Sequence, residues 1–169
     1  MKLYNKILLN EYDKSITYDD ISLIPTEVSR IKSRKEVNTS SNFLGTKLSL
    51  PVISSPMESV TGIEMAKELN SLGCLGIVNR FDSSLKDIIS DKNNGDAIKA
   101  VSIALNSDNK TVSELAEAGY IICIDTANEN NLKVIKKTEE IKNNHNVKVI
   151  VGNIAHGSSL RQLVDAGAD

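Results

Sequence analysis

The sequence predicts an α/β fold built on a parallel sheet, and three observations carry that reading. From about Ser49 onward, short β-branched runs alternate with longer helical patterns, as repeated βα units do. Within the longer segments Leu, Ile, Val and Ala recur at three- and four-residue intervals, the spacing of one helix face. Glycine closes three of these segments, in Ser71-Leu72-Gly73, Glu117-Ala118-Gly119 and Asp165-Ala166-Gly167. Gly takes the left-handed conformation that ends a helix without a Cβ clash, so these are helix exits leading into strands.

The predicted strands are 50–54, 75–78, 100–104, 120–124 and 147–151, each short and most carrying Val or Ile. The predicted helices are 62–72, 84–90, 111–118, 131–143 and 158–166. Residues 1–47 precede the pattern and read as an arm, in which Thr17 to Ile24 mixes turn formers with an apolar stretch that Pro25 stops. Such an arm would fit across one end of a barrel. Ala168-Asp169 reads as the opening of a sixth strand, so the sequence is expected to stop at an element boundary after five βα units. A closed (β/α)8 barrel takes about 250 residues, and 169 would supply its first five units. A doubly wound five-stranded sheet is the alternative, but Ser54-Ser55-Pro56-Met57-Glu58-Ser59 stands where a glycine-rich phosphate loop would follow the first strand.

Composition narrows the partners. With 40% hydrophobic and 25% charged residues the chain suits one soluble globular domain with a sizeable core. A formal charge of −2 leaves no excess cation for a nucleic-acid backbone or an anionic membrane, so neither partner is expected. No apolar run approaches the roughly 20 residues of a spanning helix, and residues 1–10 lack a signal-peptide pattern, so the cytoplasm is the expected compartment. Cys74 and Cys123 sit inside apolar runs without partners at zinc-ligand spacing, which predicts inert core thiols and no metal site.

In parallel α/β folds the carboxyl ends of the strands face the ligand. The residues there are Ser54, Ser55 and Met57; Asn79 and Arg80; Asn106 and Ser107; Asp125, Thr126 and Asn128; Asn153 and His156. Asp125 directly follows Ile121-Ile122-Cys123-Ile124, where a carboxylate must find donors, and a ribose diol supplies two. Arg80 could hold a phosphate or carboxylate, or form a surface salt bridge. Asn153 presents an amide beside Gly152, which permits close backbone approach, or it caps its loop. His156 reads as a solvated loop residue before it reads as an acid or base. No catalytic triad or carboxylate pair stands out.

Several of these segments resemble one family in order and spacing. They are Thr17-Tyr18-Asp19-Asp20 through Pro25, Ser33-Arg34-Lys35-Glu36-Val37, Ser54-Ser55-Pro56-Met57-Glu58-Ser59-Val60-Thr61 and Gly76-Ile77-Val78-Asn79-Arg80. Ile124-Asp125-Thr126-Ala127, Gly152-Asn153-Ile154-Ala155 and Ala166-Gly167-Ala168-Asp169 complete the set. Together they resemble the IMP dehydrogenase/GMP reductase family over nearly the whole chain. The resemblance implies a partial TIM barrel, the first five units of an oligomer-forming enzyme that moves a hydride between NAD or NADP and C2 of a purine nucleotide (IMP, XMP or GMP). The nucleotide is held on a cysteine as a covalent thioimidate. Carried over, Ser55 and Met57 look like nucleotide contacts, and Ser33, Arg34, Arg80, Asp125, Thr126 and Ala127 like the cofactor side. Asn153 is similar to the Asn between the two ligands and is assigned to the substrate.

The family's nucleophilic cysteine, potassium-binding glycine loop and main phosphate loops would follow later strands, beyond Asp169, and neither Cys74 nor Cys123 matches the nucleophile's motif. This chain alone is therefore expected to be inactive, to contain no catalytic residue of its own, and to need a complementing half or a homo-oligomer. Asn79 stands where His is usual, Asn128-Glu129 replaces a His-Gly or Asn-Gly pair, and His156 replaces a common Thr. Only a short polar linker occupies 91–96, where most IMP dehydrogenases carry an insert, as in GMP reductases. Ser55-Pro56-Met57 nonetheless leans to the dehydrogenase form, oxidation of IMP to XMP, over reduction of GMP. A non-catalytic nucleotide-binding half-barrel and a self-contained doubly wound domain are the other readings.

Overall fold

The computed structural model describes residues 19, 21–25, 27–82, 98–128, 131–154 and 156–169, in two compact units, 1–38 and 39–169. The predicted helix at 84–90 and the linker at 91–96 lie outside the described residues. In the first unit, a 3-10 turn at Arg34–Glu36 is capped at Ser33, whose Oγ accepts from the Lys35 N–H at 3.3 Å. Glu36 Oε2 in turn accepts from the Lys32 N–H at 3.3 Å. Leu23, Ile24 and Val28 are exposed.

The second unit opens with a hairpin of β1 (Ser41–Phe43) and β2 (Thr46–Leu48). Leu44 and Gly45 turn the chain at positive φ, 51° and 86°, the geometry of a type I′ turn. Five parallel strands follow: β3 (Ile53–Ser54), β4 (Leu75–Val78), β5 (Ala100–Ile103), β6 (Ile121–Asp125) and β7 (Val149–Gly152). The helices are α1 (Ile63–Ser71), α2 (Asn109–Glu117), α3 (Leu132–Asn144) and α4 (Gly157–Asp165).

Strand order decides between the two architectures. The sheet runs β3-β4-β5-β6-β7 in chain order, with none of the reversal that defines a doubly wound sheet. The two faces agree with that. One face packs Val78, Val101, Ile103, Ile122, Ile124 and Val149 against Ala66, Val112, Leu115, Val134, Ile141 and Leu163 of the helices. The other holds Leu75, Ile77, Ala100, Ile121 and Cys123 with Ile150, and Leu48, Phe43 and Leu44 of the hairpin cover it. Among the described residues, helices on one face and none on the other make this the wall of a barrel, so the doubly wound alternative is overturned.

Three of the four described helix exits are built the same way, while α3 ends at His145 in extended backbone. Gly73, Gly119 and Gly167 have φ of 75°, 81° and 96°. Their N–H groups donate to Asn70, Ala116 and Val164, and the next residues, Cys74, Tyr120 and Ala168, donate to Leu69, Leu115 and Leu163, the two bonds of a Schellman motif. One residue further on, Leu75, Ile121 and Asp169 donate to Val52, Lys99 and Val149 on the preceding strand segment.

Boundaries moved for local reasons. β3 is shorter than predicted because Pro51 has no N–H to give and Leu50 and Val52 are exposed. α2 starts two residues early because Asp108 Oδ1 accepts from the Thr111 N–H at 2.7 Å and caps it. His156 is the N-cap of α4, its Nδ1 accepting from the Ser158 N–H at 3.2 Å, so its lone pair serves the helix.

Two residues test this packing. At Gly76 an added Cβ would collide with the Ala66 Cα, so β4 and α1 approach only because Gly stands there. Gly76→Ala is expected to destabilise the chain by about 1–3 kcal/mol in urea unfolding, while Gly157→Ala, with nothing within 4 Å, costs nothing measurable. Asp169 accepts from Lys142 and Lys148, each at 2.7 Å, and from the Val149 N–H at 2.9 Å. Burial works against its ionisation, but those three donors outweigh it and hold the pKa at about 2. A depressed carboxylate pKa stabilises above the unfolded value of 3.8 and ceases to as pH falls through about 2. Asp169→Asn should cost about 1 kcal/mol near neutral pH, less than full linkage because water screens the pair, for Lys148 is 52% exposed. That difference from wild type should shrink as pH falls from about 4 to 2.

Candidate functional site

Parallel strands aim their carboxyl ends one way, away from the ends at which Leu75, Ala100 and Ile121 meet the hairpin. The chain after β3 is anchored by Thr61, fully buried, whose hydroxyl lies 2.8 Å from Ser54 Oγ and 2.7 Å from the Ser55 carbonyl. The Thr61 carbonyl accepts from both the Nδ2 and the N–H of Asn79, at 2.8 and 3.1 Å. Asn79 Oδ1 then accepts from the Phe81 N–H at 3.0 Å. Asn79, 3% exposed, therefore ties the end of β4 to the loop after β3 and sets Arg80 between two fixed residues.

Arg80 Nε donates to Asp125 Oδ2 at 3.0 Å, and its guanidinium lies 4.0 Å from the centroid of the Phe81 ring. Both charged side chains are about a third exposed or less. The carboxylate that the apolar run of β6 strands at the sheet end thus has a donor within the protein. Beside the pair, a cavity of about 430 Å3 is lined by Pro56, Met57, Glu58, Ser59, Phe81 and Asp125. One strand along, Asn153 Nδ2 donates to the Thr126 carbonyl at 3.2 Å, and Thr126 Oγ1 is buried with no partner among the described residues.

The predicted residues divide accordingly. Met57 and Asp125 line one cavity, with Arg80 on Asp125; Asn153 and Thr126 stand together next to it. Ser55 is exposed, and its carbonyl, which also accepts from the Met57 N–H at 2.8 Å, shapes the loop; Ala127 is exposed after Thr126. Ser33 and Arg34 belong to the first unit, where Ser33 is a cap. Phe81, Glu58 and the Thr61–Asn79 link were not foreseen as parts of the site. Phe81 adjoins Arg80 in sequence, yet nothing in the pattern sets it against the guanidinium.

Asp125 Oδ1 offers an acceptor and Thr126 a hydroxyl, the partners that the hydroxyls of a ribose diol would use, so the residues fit the dinucleotide that the resemblance implies. Both cysteines are buried. Burial, then the charge of Asp125, pushes the Cys123 thiol up to about 12, which keeps it protonated and unreactive. Among the described residues there is no metal-binding cluster of three or more His, Cys, Asp or Glu, and no helix long and apolar enough to cross a membrane.

Residues 15–169 match the family model described as the IMP dehydrogenase / GMP reductase domain. The GMP reductase of Lysinibacillus sphaericus is 31% identical over 163 residues, a stretch covering 93% of this chain and 50% of that protein. For the GMP reductase of Streptococcus gordonii the figures are 32% identity over 166 residues, 96% and 50%. The crystal structure of inosine 5′ monophosphate dehydrogenase from Legionella pneumophila superposes with a TM-score of 0.77 at 29% identity, over 92% of this chain and 49% of that one. The chain thus spans about half the length of the curated relatives it matches. A one-faced wall of parallel strands in chain order, superposing on half of such an enzyme, agrees with a family match that runs through every strand: the chain belongs to the IMP dehydrogenase/GMP reductase family.

Proposed function

We propose that this chain is the nucleotide- and cofactor-binding part of an oxidoreductase that transfers a hydride between a nicotinamide cofactor and C2 of a purine nucleotide. The observation that carries it is one cavity at the strand ends, where Met57 from the loop after β3 and Asp125 from the end of β6 meet beside Arg80. The nicotinamide supplies the hydride acceptor or donor. Met57 and Ser55 take the purine nucleotide, Asp125 accepts from the cofactor ribose, and Arg80 and the Phe81 ring hold that carboxylate in place. Thr126 and Ala127 are assigned to the cofactor and Asn153 to the substrate; Ser33 and Arg34 are further cofactor-side residues in this reading.

The direction of lean is oxidation of IMP to XMP, supported by Ser55-Pro56-Met57 in the first loop. Reduction of GMP is the second reading, supported by the names of the relatives from Lysinibacillus sphaericus and Streptococcus gordonii. Catalysis needs a partner that supplies the nucleophile, either a complementing chain or the rest of the barrel, because the described thiols are buried and Cys123 stays protonated. β3 and β7 end the sheet, and Leu160 and Val164 of α4 are 52% and 57% exposed, which supports a partner on that side. A potassium site, if the enzyme uses one, belongs to that partner.

Two outcomes follow. The chain alone, given IMP with NAD or GMP with NADPH, should produce no change in reduced-cofactor absorbance; turnover lost with Cys123→Ser or Cys74→Ser would contradict this. In binding titrations Asp125→Ala should weaken the cofactor by roughly ten- to hundredfold, the loss of one charged hydrogen-bond partner, and spare the nucleotide. Ser55→Ala should do the reverse. The same ligand weakened by both variants, or by neither, would end the assignment of separate half-sites.

A further inference from the structure

Arg80 reaches Asp125 across an intervening strand. It follows β4, Asp125 ends β6, and β5 lies between them. Two strand spacings come to about 10 Å, most of what an arginine stem, a hydrogen bond and an aspartate side chain span end to end. A contact made near that limit depends on where the backbone at Arg80 points, so whatever sets its direction decides whether the 3.0 Å bond from Nε to Asp125 Oδ2 forms. With Oδ2 engaged, Oδ1 is the carboxylate oxygen left for a ribose hydroxyl.

The direction is set by Asn79. Its Oδ1 accepts from the Phe81 N–H at 3.0 Å, a side-chain turn that closes around Arg80. Its carbonyl accepts from the Asp82 N–H at 3.4 Å, a backbone turn over the same residues. Asp82 Oδ2 then accepts from the Ile63 N–H at 3.3 Å, while Asn79 Nδ2 donates to the Thr61 carbonyl at 2.8 Å. Residues 79–82 are thus pinned at both ends to residues 61–63, and Arg80 and Phe81 stand between the pins. The same turn places the Phe81 ring, whose centroid lies 4.0 Å from the guanidinium carbon.

Two details separate this role from one in folding alone. The Thr61 carbonyl also accepts from the Asn79 N–H at 3.1 Å, so the loop after β3 keeps a tie to β4 without the side chain. The Thr61 hydroxyl keeps its contacts with Ser54 and Ser55. What the side chain adds is the acceptor for the Phe81 N–H, and its Nδ2 bond fixes which end of the amide turns that way.

We propose that Asn79 is a positioning residue for the cofactor: through the turn it closes, it aims Arg80 at Asp125 and so fixes the carboxylate that takes the ribose. The inference rests on the cofactor reading above and deepens it. Asn79, 3% exposed, acts through Arg80 and not by touching a ligand.

The test uses the 15N-labelled full chain, unaltered and as Asn79→Ala, Asn79→Ser, Asp125→Ala and Asn79→Ala/Asp125→Ala variants, each shown to fold by urea unfolding. Asn79→Leu, similar in shape and also without the acceptor, replaces Asn79→Ala if that variant does not fold. In the ligand-free chain the Arg80 Nε–H should exchange slowly with solvent, and Asn79→Ala should speed that exchange as Asp125→Ala does. NAD should bind about five- to tenfold more weakly to Asn79→Ala, the worth of one hydrogen bond. It should bind no more weakly to the double variant than to Asp125→Ala, and IMP should bind all the Asn79 variants as it binds the unaltered chain. Asn79→Ser, whose hydroxyl can accept from the N–H two residues on, should restore most of the NAD affinity. Losses that add in the double variant, an equal loss of IMP, or an Arg80 Nε–H that Asn79→Ala leaves unmoved would overturn the proposal and leave the cofactor reading standing. If the unaltered chain binds no NAD, the cofactor reading falls and the proposal falls with it.

Discussion

The structure depends on one recurring junction, the glycine that ends a helix and delivers the next strand in register. At Gly73 and Gly119 the left-handed residue lets two N–H groups close the helix, and the residue after them donates to the strand segment before. The ladders onto β4 and β6 thus begin at the same offset, and the five parallel strands stand side by side in chain order, with all carboxyl ends on one edge. Asp169 repeats the bond, its N–H on the Val149 carbonyl, and adds its carboxylate to the Val149 N–H. Everything proposed about ligands rests on that shared edge, because only there do residues as distant in sequence as Met57 and Asp125 line one cavity.

Close packing at the strands reinforces the junction. Gly76 lets α1 approach β4 until no Cβ fits, and the faces of the sheet then separate cleanly into a helix side and a hairpin side. The hairpin covers the inner face at the amino ends and leaves the carboxyl ends to the loops. There the polar network is continuous from Ser54 through Thr61 and Asn79 to Phe81, which fixes the chain on either side of Arg80, while its guanidinium donates to Asp125 and lies against the Phe81 ring. A charged pair held this way loses little further freedom when a ligand arrives.

Much of this was legible in the sequence. The β-branched runs and the three glycine exits were enough for the order of the five parallel strands and the four described helices, though the hairpin at Ser41–Leu48 fell inside the stretch read as an arm. Asp125 and Arg80 were visible as charges at the ends of apolar strands, but not as each other's partners: they lie 45 residues apart, and which strand ends adjoin is a property of the sheet. His156 shows the opposite failure. It was weighed as a solvated or catalytic group, whereas a lone pair near an exposed helix start serves as a cap. Strand 50–54 shrank to two residues because Pro51 removes a donor that pattern reading does not count.

The central claim is that ligands are taken at the carboxyl edge of the strands. Backbone amide chemical shifts of the isotopically labelled chain, followed while IMP, GMP, NAD and NADP are added in turn, test it most directly. The account predicts shifts at Met57, Ser59, Phe81, Asp125 and Thr126, with the hairpin from Ser41 to Leu48 unmoved. Shifts confined to the hairpin end, or no saturable shift with any nucleotide, would contradict it.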